Sequence, residues 1–317
     1  MMHRILVGLD GSALAETILP TVTTLAKRLA AEIVLLHVTH VPGAIQVSDL
    51  GAALDEVVGQ QQRAARAYLD EVVHRVQEAP LGVRSELAVG DAAPEIVGCA
   101  ERSHVDLIAL ATHGRSGIGR WLHGSVAEAV LHATTTPLLL LQPGVERAAA
   151  PLALQRLVVP LDGSPLAEAA LPVAEDLARA LGLPIVLLRV VEAVGLAFAS
   201  DPLSGTFVDQ QAVLEVLRDA AREYLDGFAG RIKQRSAGVD VTTEVVIGSA
   251  AESITARARE QAGSLLVLTT HGRTGWRAML LGSVARRVAL QAGMPVVVVP
   301  SPEARAHAAS VRGAATG

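Results

Sequence analysis

The feature that most constrains this chain is that one series of motifs runs through it twice. Arg4-Ile-Leu-Val-Gly-Leu-Asp-Gly-Ser is matched by Arg156-Leu-Val-Val-Pro-Leu-Asp-Gly-Ser, and Ile-Val-Leu-Leu-His-Val ending at Val38 by Ile-Val-Leu-Leu-Arg-Val ending at Val190. Tyr68-Leu69-Asp70 returns as Tyr224-Leu225-Asp226, Thr112-His113-Gly114-Arg115 as Thr270-His271-Gly272-Arg273, and Gly124-Ser125 as Gly282-Ser283. A repeat of this length divides the 317 residues into two domains, each long enough to bury its own core. We expect domains over 1–143 and 154–301, a linker over 144–153, and a disordered low-complexity tail over 302–317. The offset between copies grows from 152 at Asp10 and Asp162 to 158 at Gly114 and Gly272. The second copy has therefore gained residues, and the stretch from Glu192 to Val208 is where a surface insertion is expected.

Within each copy, short aliphatic runs alternate with amphipathic stretches. In the first copy, strands are expected at Ile5 to Leu9, Ile33 to Val38, Val83 to Val89, Leu107 to Ala111 and Leu138 to Leu141. Helical patterns fall at about Ala13 to Ala30, Leu54 to Ala79, Ala92 to Arg102 and Ser125 to Ala133. Nearly continuous apolar strands separated by helices imply βαβ units and a parallel sheet covered on both faces. Half the residues are hydrophobic but only 2% are aromatic, so the cores must be aliphatic.

Composition also narrows the function. A net charge of -5 argues against a nucleic-acid partner, which a basic stripe would announce. The single cysteine, Cys99, excludes an internal disulfide framework and a multi-cysteine metal site, and is read as a small buried residue on a helix. The first apolar run is too short for a signal peptide, and no run approaches a membrane span, so a cytoplasmic protein without a membrane partner is expected.

The repeated Thr-His-Gly-Arg stretch is the candidate site. It follows an apolar run, and nine residues separate its glycine from a Gly-Ser that opens a helical pattern. Strand, glycine-rich loop and helix start together favour a phosphate, because the first N–H groups of a helix have no partner within it. From Thr112 to Ala127 and from Thr270 to Ala285 there is Arg and His but no Asp or Glu. Arg115 and Arg273 could clamp a phosphate or lie in water, and His113 and His271 are read as holding the loop. Ser125, with Glu128 three residues later, also spells a capping box. Asp10 and Asp162, in Asp-Gly-Ser turns, have two compatible roles: turn chemistry, and accepting hydrogen bonds from a ligand.

Taken in order and found twice, these motifs resemble the universal stress protein family. The resemblance covers nearly the whole chain apart from the linker and tail. It implies two tandem doubly wound α/β domains, each a five-stranded parallel sheet in the order 3-2-1-4-5 with helices on both faces. It implies an ATP site, with Mg²⁺ on the phosphates, at the switch point between strands 1 and 4. The family's pattern of Gly, two residues, Gly, nine residues, Gly and Ser or Thr maps onto Ala111, Gly114, Gly124 and Ser125, and onto Thr269, Gly272, Gly282 and Ser283. Its first glycine is replaced in both copies, and the branched Thr269 is the larger departure. The binding set so implied adds Asp10, His113, Arg115 and Val126 in the first copy, and Asp162, His271, Arg273 and Val284 in the second. The resemblance further implies that the two halves pair through their fifth strands as an intrachain pseudo-dimer, and that the chain could form a homodimer.

No Walker lysine, paired-histidine metal helix, nucleophile elbow or Cys-His constellation is present, and neither loop offers an acid for a base role. We therefore expect no catalytic residue, no metal-binding side-chain set, and a nucleotide-dependent regulatory binding module in the stress response. The alternatives are an interaction scaffold that binds no nucleotide, and a slow ATPase.

Overall fold

The computed structural model describes residues 2–40, 51–77, 81–112, 125–142, 154–192, 209–270 and 282–301. The expected linker and tail, the insertion from 193 to 208 and most of both Thr-His-Gly loops lie outside them. The chain separates into two compact units, residues 1–152 and 153–302.

Unit 1 runs β1 (Arg4–Leu9), α1 (Ala13–Glu16), α2 (Leu19–Leu29), β2 (Glu32–Thr39), α3 (Gly51–Val76), β3 (Val83–Val89), α4 (Ala92–Arg102), β4 (Leu107–Ala111), α5 (Ser125–Ala133) and β5 (Leu138–Leu141). All its strand pairs are parallel, in the order β3-β2-β1-β4-β5. The order reverses at β1, between β2 and β4, so a crevice opens at the carboxyl ends of β1 and β4. The strands are aliphatic because both sheet faces are covered: Ile5, Leu6 and Val7 of β1 and Leu107, Ile108 and Ala109 of β4 are fully buried.

The expected helix over residues 13–30 is instead two. Ser12 caps α1, its hydroxyl accepting the Ala15 N–H at 3.1 Å, and α1 stops at Glu16. Pro20 then sits in the first turn of α2, where its missing N–H costs nothing; inside one continuous helix it would have removed a hydrogen bond. The same break recurs in unit 2, where Pro172 opens the second helix.

Unit 2 repeats the series: β6 (Arg156–Pro160), α6 (Pro165–Glu168), α7 (Leu171–Leu181), β7 (Ile185–Val191), α8 (Gln210–Arg235), β8 (Val241–Ile247), α9 (Ala250–Glu260), β9 (Ser264–Thr269), α10 (Ser283–Gln291) and β10 (Val296–Val299). Its parallel order is β8-β7-β6-β9-β10.

Tyr68-Leu69 and Tyr224-Leu225 prove to be packing motifs. Leu69 and Leu225 are buried on the long helices α3 and α8. The Tyr224 hydroxyl donates to Glu168 at 3.0 Å and the ring lies edge-on to Phe228. In unit 1 the Tyr68 hydroxyl is near Glu16 but makes no well-formed hydrogen bond, and Glu16 pairs with Arg75 at 2.8 Å instead.

Candidate functional site

The Asp-Gly-Ser turn that follows β1 is fixed by its own side chains. Asp10 Oδ1 accepts both the backbone N–H and the hydroxyl of Ser12, at 2.9 and 2.6 Å. Gly11 has φ 83°, a left-handed conformation that favours glycine. Unit 2 reproduces this: Asp162 Oδ1 accepts from Ser164 at the same two distances, and Gly163 also has φ 83°. The turn-chemistry role of both aspartates is thus present in the geometry, and Asp10 also lines the crevice of unit 1.

In unit 1 that crevice contains a pocket of about 140 Å³. Asp10, Ala111, Ser125 and Val126, all singled out from the sequence, line it together with Gly8 and Val38. Its floor is the ends of β1, β2 and β4, and its walls include Ala92 at the first position of α4 and Ser125 at the first position of α5. Two helix N-termini therefore border one apolar cavity with a carboxylate at its edge. Apolar walls suit a flat heteroaromatic ring, helix starts favour anionic groups, and a carboxylate accepts from hydroxyls. The volume is small beside the roughly 300–1,000 Å³ of sites that enclose a drug-sized ligand, and fits one end of such a molecule. His113, Gly114, Arg115 and Gly124 lie outside the described residues.

Because α5 begins at Ser125 itself, this serine is the first helical residue, one position late for the capping box with Glu128. In unit 2 Gly282 occupies the cap with no side-chain hydrogen bond, which leaves Ser283 at the equivalent first helical position. Gly282 N–H donates to the Thr270 carbonyl at 2.7 Å, closing the base of the loop between them. Thr269 is buried at the end of β9, and Ser283 and Val284 are exposed. His271, Gly272 and Arg273 lie outside the described residues.

His37, on β2, brings its ring beside the first turn. It is 3.8 Å from where a Cβ on Gly11 would lie, stacks edge-on against Tyr68 at 5.7 Å between centroids, and keeps its Nδ1 buried without a hydrogen-bond partner. Arg189 takes its place in unit 2, donating to the Leu161 carbonyl at 3.3 Å and lying over the Tyr224 ring. The signal for both was the one mismatch in the repeated second strand. Burial, aided by Glu16 for Tyr68 and by Glu168 for Tyr224, pushes both phenols well above their usual range.

A second polar cluster lies toward the C-terminal end of α4. Glu86 accepts from Arg84, from the Cys99 thiol at 3.1 Å and from the Ser103 hydroxyl at 3.1 Å. Burial opposes the Glu86 charge, but these donors outweigh it and hold the carboxyl below its usual range. Burial first, and then the adjacent Glu86, push the Cys99 thiol up to about 12, so it is an inert packing residue as its sequence context suggests. A depression of about 540 Å³ along α8 is lined by Asp219, Arg222, Glu223, Asp226 and Gly227. All five come from one helix and converge on nothing, so no ligand is assigned there. Among the described residues no group of three or more His, Cys, Asp or Glu could hold a metal ion, and no helix is long and apolar enough to cross a membrane.

Comparison with known proteins agrees with this architecture. The model of the universal stress protein family matches residues 1–142 and again 153–300, so the chain belongs to that family, as a tandem member with two copies of the domain. A universal stress protein of Mycolicibacterium smegmatis is 28% identical over 302 residues, covering 94% of this chain and 97% of its own. One from Mycobacterium tuberculosis is 28% identical over 314 residues, covering 93% and 96%. The crystal structure of a universal stress protein from Archaeoglobus fulgidus superposes with a TM-score of 0.63 at 21% identity, covering 94% of this chain and 98% of that one, and supports the fold.

Proposed function

We propose that this tandem universal stress protein is an ATP-binding regulatory module whose nucleotide lies in the unit 1 crevice. The observation that carries the reading is the pocket at the carboxyl ends of β1 and β4, where Asp10, Ala111, Ser125 and Val126 meet beside two helix N-termini. The base takes the apolar cavity and the ribose hydroxyls donate to Asp10. The phosphates extend toward the start of α5 and the Thr-His-Gly loop, with Mg²⁺ arriving on them rather than on a protein ligand set. The chain acts in the cytoplasm by binding rather than turnover: Asp10 lies at the sugar end, and the loop from Thr112 to Ala127 carries no Asp or Glu to activate water on a terminal phosphate. A ligand regulates only by preferring one state of its receptor, so the bound and free forms must differ in conformation or partner.

Calorimetric titration of Mg-ATP into nucleotide-stripped protein tests this. Micromolar or tighter binding that is lost with Asp10→Ala supports it. No heat, together with no adenine nucleotide released on denaturing freshly purified protein, would leave an interaction scaffold as the better description.

The pairing of the two halves belongs to the same proposal. β5 and β10 each pair with one neighbour inside their own unit. An aliphatic strand that ends a sheet is a template for another strand, and we take each to be the other's partner. Val297→Pro removes an N–H from β10 and should lower the melting temperature or separate the units; an unchanged profile counts against the pairing.

A further inference from the structure

Thirteen residues line the unit 1 pocket, and the offsets of 152 (before the insertion) and 158 (after it) give the residue at each equivalent place in unit 2. Eleven of the thirteen are the same residue type. The two that differ, Gly8 replaced by Pro160 and Ala111 replaced by Thr269, both become larger. They stand on the two central strands, β6 and β9, at the switch point of the unit 2 sheet.

The room they take can be read from unit 1. A Cβ placed on Gly8 would lie 2.5 Å from Leu110 Cδ2 and 3.4 Å from Ile96 Cδ1, two side chains of the pocket wall. Their equivalents, Leu268 and Ile254, are retained in unit 2 and buried there. Pro160 thus adds its ring beside these two side chains, and Thr269 adds a branched side chain from the neighbouring strand. Close-packed interiors do not absorb added methylenes without loss of space elsewhere.

A third difference lies at the helix start. Ala92, the first residue of α4, borders the open pocket in unit 1. Its equivalent Ala250 donates its N–H to the Glu192 carboxylate at 3.0 Å. The position equivalent to Glu192 is His40, whose Nδ1 faces Asp91 at 3.6 Å. In unit 2 a carboxylate of the chain thus occupies the first N–H of α9 and a ligand would have to displace it, whereas in unit 1 the acid at the α4 start, the cap residue Asp91, makes no side-chain cap hydrogen bond.

We infer that the two crevices are not equivalent: Pro160, Thr269 and Glu192 close the unit 2 crevice to nucleotides, so the chain carries one nucleotide, in unit 1, and unit 2 serves as its constitutively closed counterpart. This rests on the nucleotide reading of the unit 1 pocket. Occupancy of one unit against a permanently closed one gives the chain two states, one nucleotide or none.

The test is the stoichiometry of Mg-ATP binding by calorimetry, on the wild-type chain, on Asp10→Asn, and on a triple variant carrying Pro160→Gly, Thr269→Ala and Glu192→His, the residue types of unit 1. The expected result is one site in the wild type, lost with Asp10→Asn, and two sites in the triple variant, the second gaining at least about 100-fold over the wild type. Two sites in the wild type would overturn the inference while leaving nucleotide binding intact. A single site that survives Asp10→Asn would overturn its placement. A triple variant that melts like the wild type yet binds only one nucleotide would show that these side chains do not close the crevice. The reciprocal pair Gly8→Pro and Ala111→Thr should abolish the wild-type site, and retained affinity in a folded sample would overturn the steric argument. No binding by any chain would sink the nucleotide reading itself.

Discussion

Cys99 is the single thiol of the chain, and its reactivity gives a quantitative test of the unit 1 core. The residue is fully buried on α4, and its S–H donates to Glu86. An unperturbed thiol with a pKa of about 8.5 is roughly one-quarter thiolate at pH 8. With the pKa of Cys99 pushed up to about 12, the folded fraction is about 10⁻⁴, and the thiolate is the reactive species. Labelling by an aromatic disulfide reagent at pH 8 should therefore be at least about a thousand times slower in the native protein than in urea, before burial slows it further. What labelling occurs must pass through opening of unit 1. Saturating Mg-ATP bound in that unit should then slow it by up to about 100-fold at 100 times the dissociation constant. A native rate within tenfold of the unfolded rate would refute the reasoning, because it would require an accessible, ionised thiol where the packing allows neither.

Four further outcomes are expected. Tyr224→Phe loses the 3.0 Å hydrogen bond to Glu168 and should cost about 1–2 kcal/mol by urea unfolding, whereas Tyr68→Phe, whose hydroxyl has no well-formed bond, should cost less than about 0.5 kcal/mol; equal costs would contradict the difference between the units. Both tyrosines have raised folded pKa values, so they favour the unfolded chain as pH rises past about 10, and Tyr224→Phe should flatten the alkaline fall in melting temperature. At the acid end Glu86 is held below its usual range, so its contribution is present above about pH 4.3 and lost as pH falls through the folded value; Glu86→Gln should remove that part of the acid dependence. Gly163→Ala meets both a left-handed φ of 83° and a guanidinium nitrogen 2.9 Å from the new Cβ, and should destabilise more than Gly182→Ala, where φ is 61° and nothing lies within 4 Å.

Much of the fold could be read from the chain because its two signals reinforce each other. Aliphatic runs such as Ile33 to Leu36 and Leu107 to Leu110 are buried on both faces, so period and composition pointed to the same element, and the repeat allowed each assignment to be checked against a second copy. The split of the first helix was missed because the apolar period continues across Thr17 and Ile18 while Pro20 restarts the helix. The capping box at Ser125 was misplaced by one residue because Gly124-Ser125 leaves open which residue starts the helix. At the site, Asp10 and Ser125 were legible as polar residues in motifs, but Gly8, Val38, Ala92 and Ile96 were not. They carry no chemistry of their own and matter only through the space they leave. Pro160 and Glu192 were invisible for a related reason: one looks like an ordinary strand end and the other like a loop acid, until the geometry of unit 1 shows what stands in their places.

The measurement that tests the central claim most directly is photolabelling with an azido-adenine analogue of ATP, competed with excess ATP and mapped by peptide mass spectrometry. The account predicts label on unit 1 peptides, from the end of β2 at Val38 or from α4 to β4 between Ala92 and Ala111, abolished by ATP and absent from unit 2. Competable label on the equivalent unit 2 peptides, or label that ATP does not displace, would contradict it.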